Sequence, residues 1–203
     1  MFADRMAASV GVVFQVRIHG RGGQGVVTAA ELLALAAFLE ERHAQAFPSF
    51  GSERTGAPVV AFCRIDDRAI RVREPIMEPD GLIVQDPTLL HQVDVFGGMK
   101  PGGFILINTG RSLAELGLAE FAGGFKVLTV PATELAREHV GRPLPNAALL
   151  GGFAAMTGAV ALDSVTTAIS ARFPDAVARG NVAAATAAHA HVLRQLEGER
   201  DAA

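Results

Sequence analysis

The residues whose types and spacing could do chemistry are Gly20, Arg21, Gly22, Gly23, Gln24 and Gly25. Gly20, Gly22 and Gly25 fit the pattern G-x-G-x-x-G. In a strand–loop–helix unit such glycines allow a tight turn, a close approach of backbone to ligand, and close packing of helix on strand. Free N–H groups at the start of the following helix, helped by its dipole, attract a phosphate. The usual ligand of such a loop is a dinucleotide. That site needs an Asp or Glu about 20 residues on, at the end of the second strand, to hold the ribose hydroxyls. Glu40 and Glu41 lie near that distance but read as the solvated end of the helix, and Ala44, Gln45, Ala46, Phe47 and Pro48 include no acid. The loop is therefore read as a tight turn or as an anion cradle for something other than NAD.

Other catalytic chemistry is sparse. His189 and His191 stand two apart on a predicted helix and cannot share a metal ion as an i, i+4 pair could. No H-E-x-x-H, G-x-S-x-G or G-x-x-x-x-G-K-[ST] motif occurs. His19, before the glycine loop, is read as a satisfied structural histidine, and Asp86, at a strand end, as the cap of the following turn. Cys63 is the single cysteine. One thiol excludes an intrachain disulfide, a cysteine-held zinc and an iron–sulfur cluster carried by this chain alone.

The elements that must position the loop follow from periodicity. Residues 12–18 alternate as a strand should, and residues 26–39 form an apolar helix with one charge, Glu31. Residues 59–65 read as a strand, Asp66 and Asp67 as a turn, and residues 69–73 as the returning strand of a hairpin. Strands follow at 81–86, 104–108 and 125–130, the first of them succeeded by a helix over about 88–96. Helices are expected at 133–139, from Asn146 to Val160, and from Asp163 to Phe173. A last one, over 175–196, should kink or restart near Gly180 and Asn181. The pattern is an α/β, Rossmann-like fold: a mostly parallel sheet flanked by helices, with a β-hairpin insertion and a helical C-terminal part.

Composition limits the function. The chain has 203 residues, a net charge of -3 from 18 basic and 21 acidic residues, and a hydrophobic share of 50%. No nucleic-acid footprint shows. No apolar run reaches the ~20 residues of a membrane span. Residues 1–11 read as a frayed extension without a signal-peptide core, and residues 12–203 as a single domain, expected in the cytoplasm. The helix carrying Gly151, Ala155 and Ala159 is apolar all round, so it must be covered by its own sheet or by a partner. The stretch 45–58, with Phe47, Phe50, Ser52, Glu53, Arg54 and Thr55, reads as a long loop of the kind that docks or functions.

Taken together, Gly-Arg-Gly-Gly-Gln-Gly, the stretch Ser-Phe-Gly-Ser-Glu-Arg-Thr-Gly over 49–56, and Asn146 opening Ala-Leu-Leu-Gly-Gly-Phe resemble the gamma subunit of 2-oxoacid:acceptor oxidoreductases of the pyruvate:ferredoxin type. The resemblance implies a non-catalytic, Rossmann-like subunit packed against alpha, beta and delta-type partners. The complex would decarboxylate a 2-oxoacid on thiamine diphosphate with Mg, pass electrons through iron–sulfur clusters to ferredoxin or a similar acceptor, and hand the acyl group to coenzyme A. None of those cofactors would be held by this chain alone. It also implies that the glycine loop and Ser52, Glu53 and Arg54 face the catalytic core and the coenzyme A path, with Arg21 near the phosphates. The alternative is a free-standing nucleotide-binding oxidoreductase of Rossmann type. The missing ribose acid and the missing catalytic cluster favour the subunit.

Overall fold

A computed structural model describes residues 13–49 and 55–201 of the chain. The extension expected over residues 1–11 lies outside them, as do Phe50, Ser52, Glu53 and Arg54. Strand β1 (Phe14–Arg21) alternates as its sequence requires: Phe14, Val16 and Ile18 enter the main core, while Gln15, Arg17 and His19 occupy the other face. Helix α1 (Val26–Leu39) follows with the expected bounds and buries Val26, Ala29, Ala30, Leu32, Leu33, Ala36 and Ala37.

The hairpin differs from the expectation. Strand β2 (His43–Pro48) pairs antiparallel with β3 (Pro58–Asp66), Phe47 opposite Phe62, and β3 pairs on its other side with β1, Arg64 opposite Gln15. Both edges of β3 are thus used, so residues 69–73, despite their alternating pattern, find no free edge on β3 and stay outside the sheet. The segment read as the start of a loop is instead an edge strand, where a terminal Pro48 is tolerated. Strands β4 (Gly81–Val84), β5 (Phe104–Asn108) and β6 (Lys126–Val130) run parallel to β1, giving the order β2-β3-β1-β4-β5-β6. The sheet is mixed, with β3 alone running against the others.

Helices α2 (Ala132–Val140), α3 (Asn146–Thr157), α4 (Leu162–Arg172) and α5 (Asp175–Asp201) join α1 over one sheet face, where Ile18, Cys63, Ile83, Leu106 and Leu128 meet Ala30, Leu149, Phe153, Ile169 and Ala188. The opposite face of β4 to β6 is covered by Leu89, Val95 and Met99, with Leu113, Leu116 and Phe121. The helix expected over 88–96 is only a 3₁₀ turn, Pro87–His91. The carbonyls of Val95 and Gly97 point instead at Arg17, whose Nη2 donates to them at 2.9 and 2.7 Å, and so are not aligned for a helix.

Two further expectations about the helices change. Helix α3 is buried along nearly its whole length, but within this chain: Gly151 lies against the backbone of Ala185 in α5. Its small face packs on α5 rather than on a partner. Helix α5 runs unbroken through Gly180 and Asn181. Gly180 is there for proximity, since a Cβ would stand 2.5 Å from the His139 carbonyl oxygen, and Asn181 Nδ2 donates to Val177 O at 2.9 Å.

Gly151→Ala is expected to destabilise the protein. A methyl group improves helix propensity by up to ~1 kcal/mol, but here it collides with the Ala185 carbonyl, and overpacking against backbone costs about 1–3 kcal/mol or more. Gly198→Ala in α5, where nothing lies within 4 Å, should leave stability equal or slightly higher. Urea unfolding of both variants checks the contrast; equal stabilities would refute the close α3–α5 contact.

Candidate functional site

The chain leaves β1 toward the helical face, through the glycine loop into α1. It leaves β4 toward the opposite face, into the turn that buries Leu89. The carboxyl ends of these two neighbouring strands therefore flank a topological switch point, where open α/β sheets bind ligands.

Here that crevice is bridged by the protein itself. Arg21 Nε contacts Asp86 Oδ2 at 3.1 Å, Gln24 Nε2 donates to the same oxygen at 2.9 Å, and Gln24 Oε1 accepts the Arg21 N–H at 2.8 Å. Arg21 Nη2 donates to Thr88 Oγ1 and Gln92 Oε1 at 2.6 and 2.8 Å, and Nη1 to Gly56 O at 3.0 Å. Asp86 Oδ1 accepts from Thr88 N and Oγ1, the capping role read from sequence. Burial works to raise the Asp86 pKa, but the hydrogen bonds from Thr88 and Gln24 and the charge of Arg21 outweigh it and hold the carboxyl below its ordinary value. Arg21, expected near a phosphate, spends its donors on these internal partners.

The glycines divide the labour. Gly20 lets α1 close onto the sheet, because a Cβ would stand 2.6 Å from Val26 Cγ2. Gly25 caps α1 in the left-handed region, φ 72°, where a Cβ would meet Asn146 Nδ2 at 2.6 Å. Gly22 joins the two stretches singled out in the sequence: its N–H donates to Ala57 O at 2.9 Å, its carbonyl accepts from Gly56 N at 3.1 Å, and it forms a parallel bridge with Thr55. Residues 55–57 are thus laced to the glycine loop; Ser52, Glu53 and Arg54 lie outside the described residues.

Beside this junction opens a cleft of about 320 Å³ lined by Arg21, Gly22, Gly23, Gly25, Val26, Val27, Thr28 and Val59. The N–H groups of Gly22 and Gln24 are used, the latter on Arg21 O. Those of Gly23, Gly25 and the first turn of α1 have no acceptor among the described residues, and α1 carries neither a side-chain cap nor an acid in that turn. Such a helix start takes an anion.

Three residues near the site escaped sequence reasoning. Thr88 and Gln92, placed in a helix, are partners of Arg21. Gln85 is almost fully buried at the end of β4, and neither its Oε1 nor its Nε2 has a partner among the described residues. The available signal was the polar Gln85 and Asp86 closing an apolar run. His19 is structural but not satisfied: it is buried, its Nε2 lacks a partner among the described residues, and burial, aided by the Arg17 charge and opposed by Asp94, lowers its pKa to about 4. Among the described residues no three His, Cys, Asp or Glu side chains converge on a metal position, and no helix is long and apolar enough to cross a membrane.

Comparisons with known proteins show what the chain as a whole is similar to. A family model described as pyruvate ferredoxin/flavodoxin oxidoreductase matches residues 15–191. The pyruvate/ketoisovalerate oxidoreductases common subunit gamma of Thermococcus kodakarensis is 49% identical over 175 residues, 85% of this chain and 94% of that protein. Pyruvate synthase subunit PorC of Methanocaldococcus jannaschii is 45% identical over 183 residues, 90% of this chain and 99% of that one. The crystal structure of the pyruvate oxidoreductase subunit PORC of Thermotoga maritima superposes with a TM-score of 0.74 at 33% identity, over 88% of this chain and 96% of the other. A 2-oxoglutarate:ferredoxin oxidoreductase from Magnetococcus marinus shares the fold, with a TM-score of 0.67 at 16% identity, over 90% of this chain but 31% of its own.

His19 makes a measurable contribution to pH dependence. Its folded pKa lies below its ordinary 6.5, so its contribution is complete above about 6.5 and is lost as pH falls toward 4. The loss is on the order of 3 kcal/mol. His19→Gln should flatten stability between those pH values by that amount. Parallel unfolding curves for both proteins across the range would refute the buried neutral imidazole.

Proposed function

The chain belongs to the pyruvate ferredoxin/flavodoxin oxidoreductase family, and from that membership we propose how it serves as the gamma-type subunit of a 2-oxoacid oxidoreductase. It is a component of an enzyme whose reaction centre lies on other subunits, of alpha, beta and delta type. There a 2-oxoacid is oxidatively decarboxylated with thiamine diphosphate and Mg, electrons leave through iron–sulfur clusters to ferredoxin or a similar acceptor, and the complex works in the cytoplasm. Identity of 45–49% to the gamma subunit and PorC relatives over nearly their whole length supports this reading.

The residues of this chain do not fit a cluster. Its one thiol, Cys63, is fully buried and its pKa is pushed up to about 12 by burial, so it offers no thiolate ligand. A phosphate fits better. Coenzyme A supplies the thiol that carries an acyl group away. Its phosphates match the uncapped start of α1, where Gly23, Gly25, Val26, Val27 and Thr28 would hold them through backbone N–H groups. Arg21 shapes that cleft from within, by fixing the glycine loop to Asp86 and to Gly56 O. Thr55, which follows Ser52, Glu53 and Arg54 in the sequence, is held against Gly22. The observation that carries the proposal is the cleft itself, with donors unpaired and a helix start without a counter-charge among the described residues. A free-standing dinucleotide enzyme is disfavoured by the same geometry: the Arg21–Gln24–Asp86 bridge stands at the switch point, and β2 carries no acid for a ribose.

Thr28→Glu tests the cleft without disturbing the fold, because a carboxylate in the first turn of a helix is favourable by about 0.3–1 kcal/mol. In the assembled enzyme the apparent KM for coenzyme A should rise roughly tenfold or more, each 1.4 kcal/mol of lost phosphate binding being a factor of ten. The KM for the 2-oxoacid should stay put. An unchanged coenzyme A response would make the glycine loop a packing device only. The isolated chain is also expected to be colourless and free of iron and thiamine diphosphate; stoichiometric iron by metal analysis would overturn that.

A further inference from the structure

Between β3 and β4 the chain spends residues 67–80 without a helix or strand, a length that in a compact domain points to a dedicated role. Within it, residues 69–73 run free of turns and bends and have the alternating Ile70, Arg71, Val72, Arg73 pattern of a strand. The segment is anchored from one side. Arg64 donates to the carbonyls of Val72 and Glu74 at 3.5 and 2.6 Å, Ile76 is buried, and Gly98 packs on the Met77 carbonyl. Carbonyls two residues apart share one edge of an extended chain, so Arg64 holds one edge and the main-chain groups of Arg71 and Arg73 form the other. No acceptor among the described residues takes the N–H groups of residues 69–73. Val72 and Met77 are exposed by 53% and 72%.

We propose that residues 69–73 are an unpaired β-strand onto which an acidic, extended segment of another subunit adds. The inference rests on the reading of this chain as a subunit. Its physical basis is an exposed strand edge, whose main-chain donors and acceptors template a partner strand. The chemistry of the partner follows from charge. Arg68, Arg71 and Arg73 are all exposed, and none forms an ion pair among the described residues. A second copy of this chain would set arginine against arginine, which disfavours self-pairing. A strand with Asp or Glu at alternate positions satisfies both the edge and the charge.

The test uses the whole enzyme, with this chain co-expressed alongside its partner subunits. The double variant R71E/R73E should bring down roughly tenfold less of the partners than the unmodified chain, as expected for reversed charges at an interface, while R71K/R73K should retain them. Because these side chains are exposed, the isolated variant should melt with the unmodified chain. Independently of any variant, the amides of Arg71 and Arg73 should exchange at least about tenfold more slowly in the assembled enzyme than in the isolated chain. Full assembly by R71E/R73E, or equal exchange in the two states, would overturn the inference alone. Failure of the unmodified chain to assemble would overturn the subunit reading beneath it.

Discussion

The structure turns on one ion pair, Arg21 with Asp86, across the gap between the carboxyl ends of β1 and β4. These strands send the chain to opposite faces of the sheet, so their ends would otherwise part around an open crevice. Arg21 reaches across it to Asp86, Thr88 and Gln92, and down to Gly56 O, while Gln24 doubles the tie. Its side chain is 22% exposed and that of Asp86 13%, an intermediate setting in which a networked pair contributes more than an isolated surface pair. The consequence is a Rossmann-like frame whose customary ligand position is occupied by its own side chains. The N–H groups without an acceptor among the described residues lie farther out, at Gly23, Gly25 and the first turn of α1.

A second constraint is the saturation of β3. With β1 on one edge and β2 on the other, it leaves residues 69–73 outside the sheet although they have a strand's sequence. Local pattern and global topology disagree there, and in natural proteins such disagreements collect where function lies. Arg64 belongs to the same arrangement. It reaches Gln15 and, 5.2 Å from its ring centroid, Phe47, while its terminal nitrogens hold the excluded segment in place.

Much of this was legible in the residues. Strand β1, helix α1 and the parallel strands announce themselves because each buries a full face and so must alternate or run apolar. Strand β2 does not, because an edge strand half open to solvent needs no strict alternation and here ends in Pro48. The unbroken α5 was obscured by Gly180, which a lone helix would avoid but which the close His139 carbonyl requires. At the site, the glycines could be placed by spacing, yet the partner of Arg21 could not. Asp86 lies 65 positions away, and no local pattern says which acid will face which base. The link between Gly22 and Thr55 was equally hidden, since it depends on the hairpin bringing 55–57 back to the loop.

Helix α5 carries a consequence for how the chain comes into being. The apolar surface of α3 is closed largely by the last helix, through the Gly151–Ala185 contact. A ribosome adding ~5–20 residues per second therefore holds α3 for several seconds before its cover in α5 exists. Throughout that interval the apolar α3 face that α5 will cover stays open to the cell. A chain truncated before α5 would stay in that condition, as a client for chaperones and proteases.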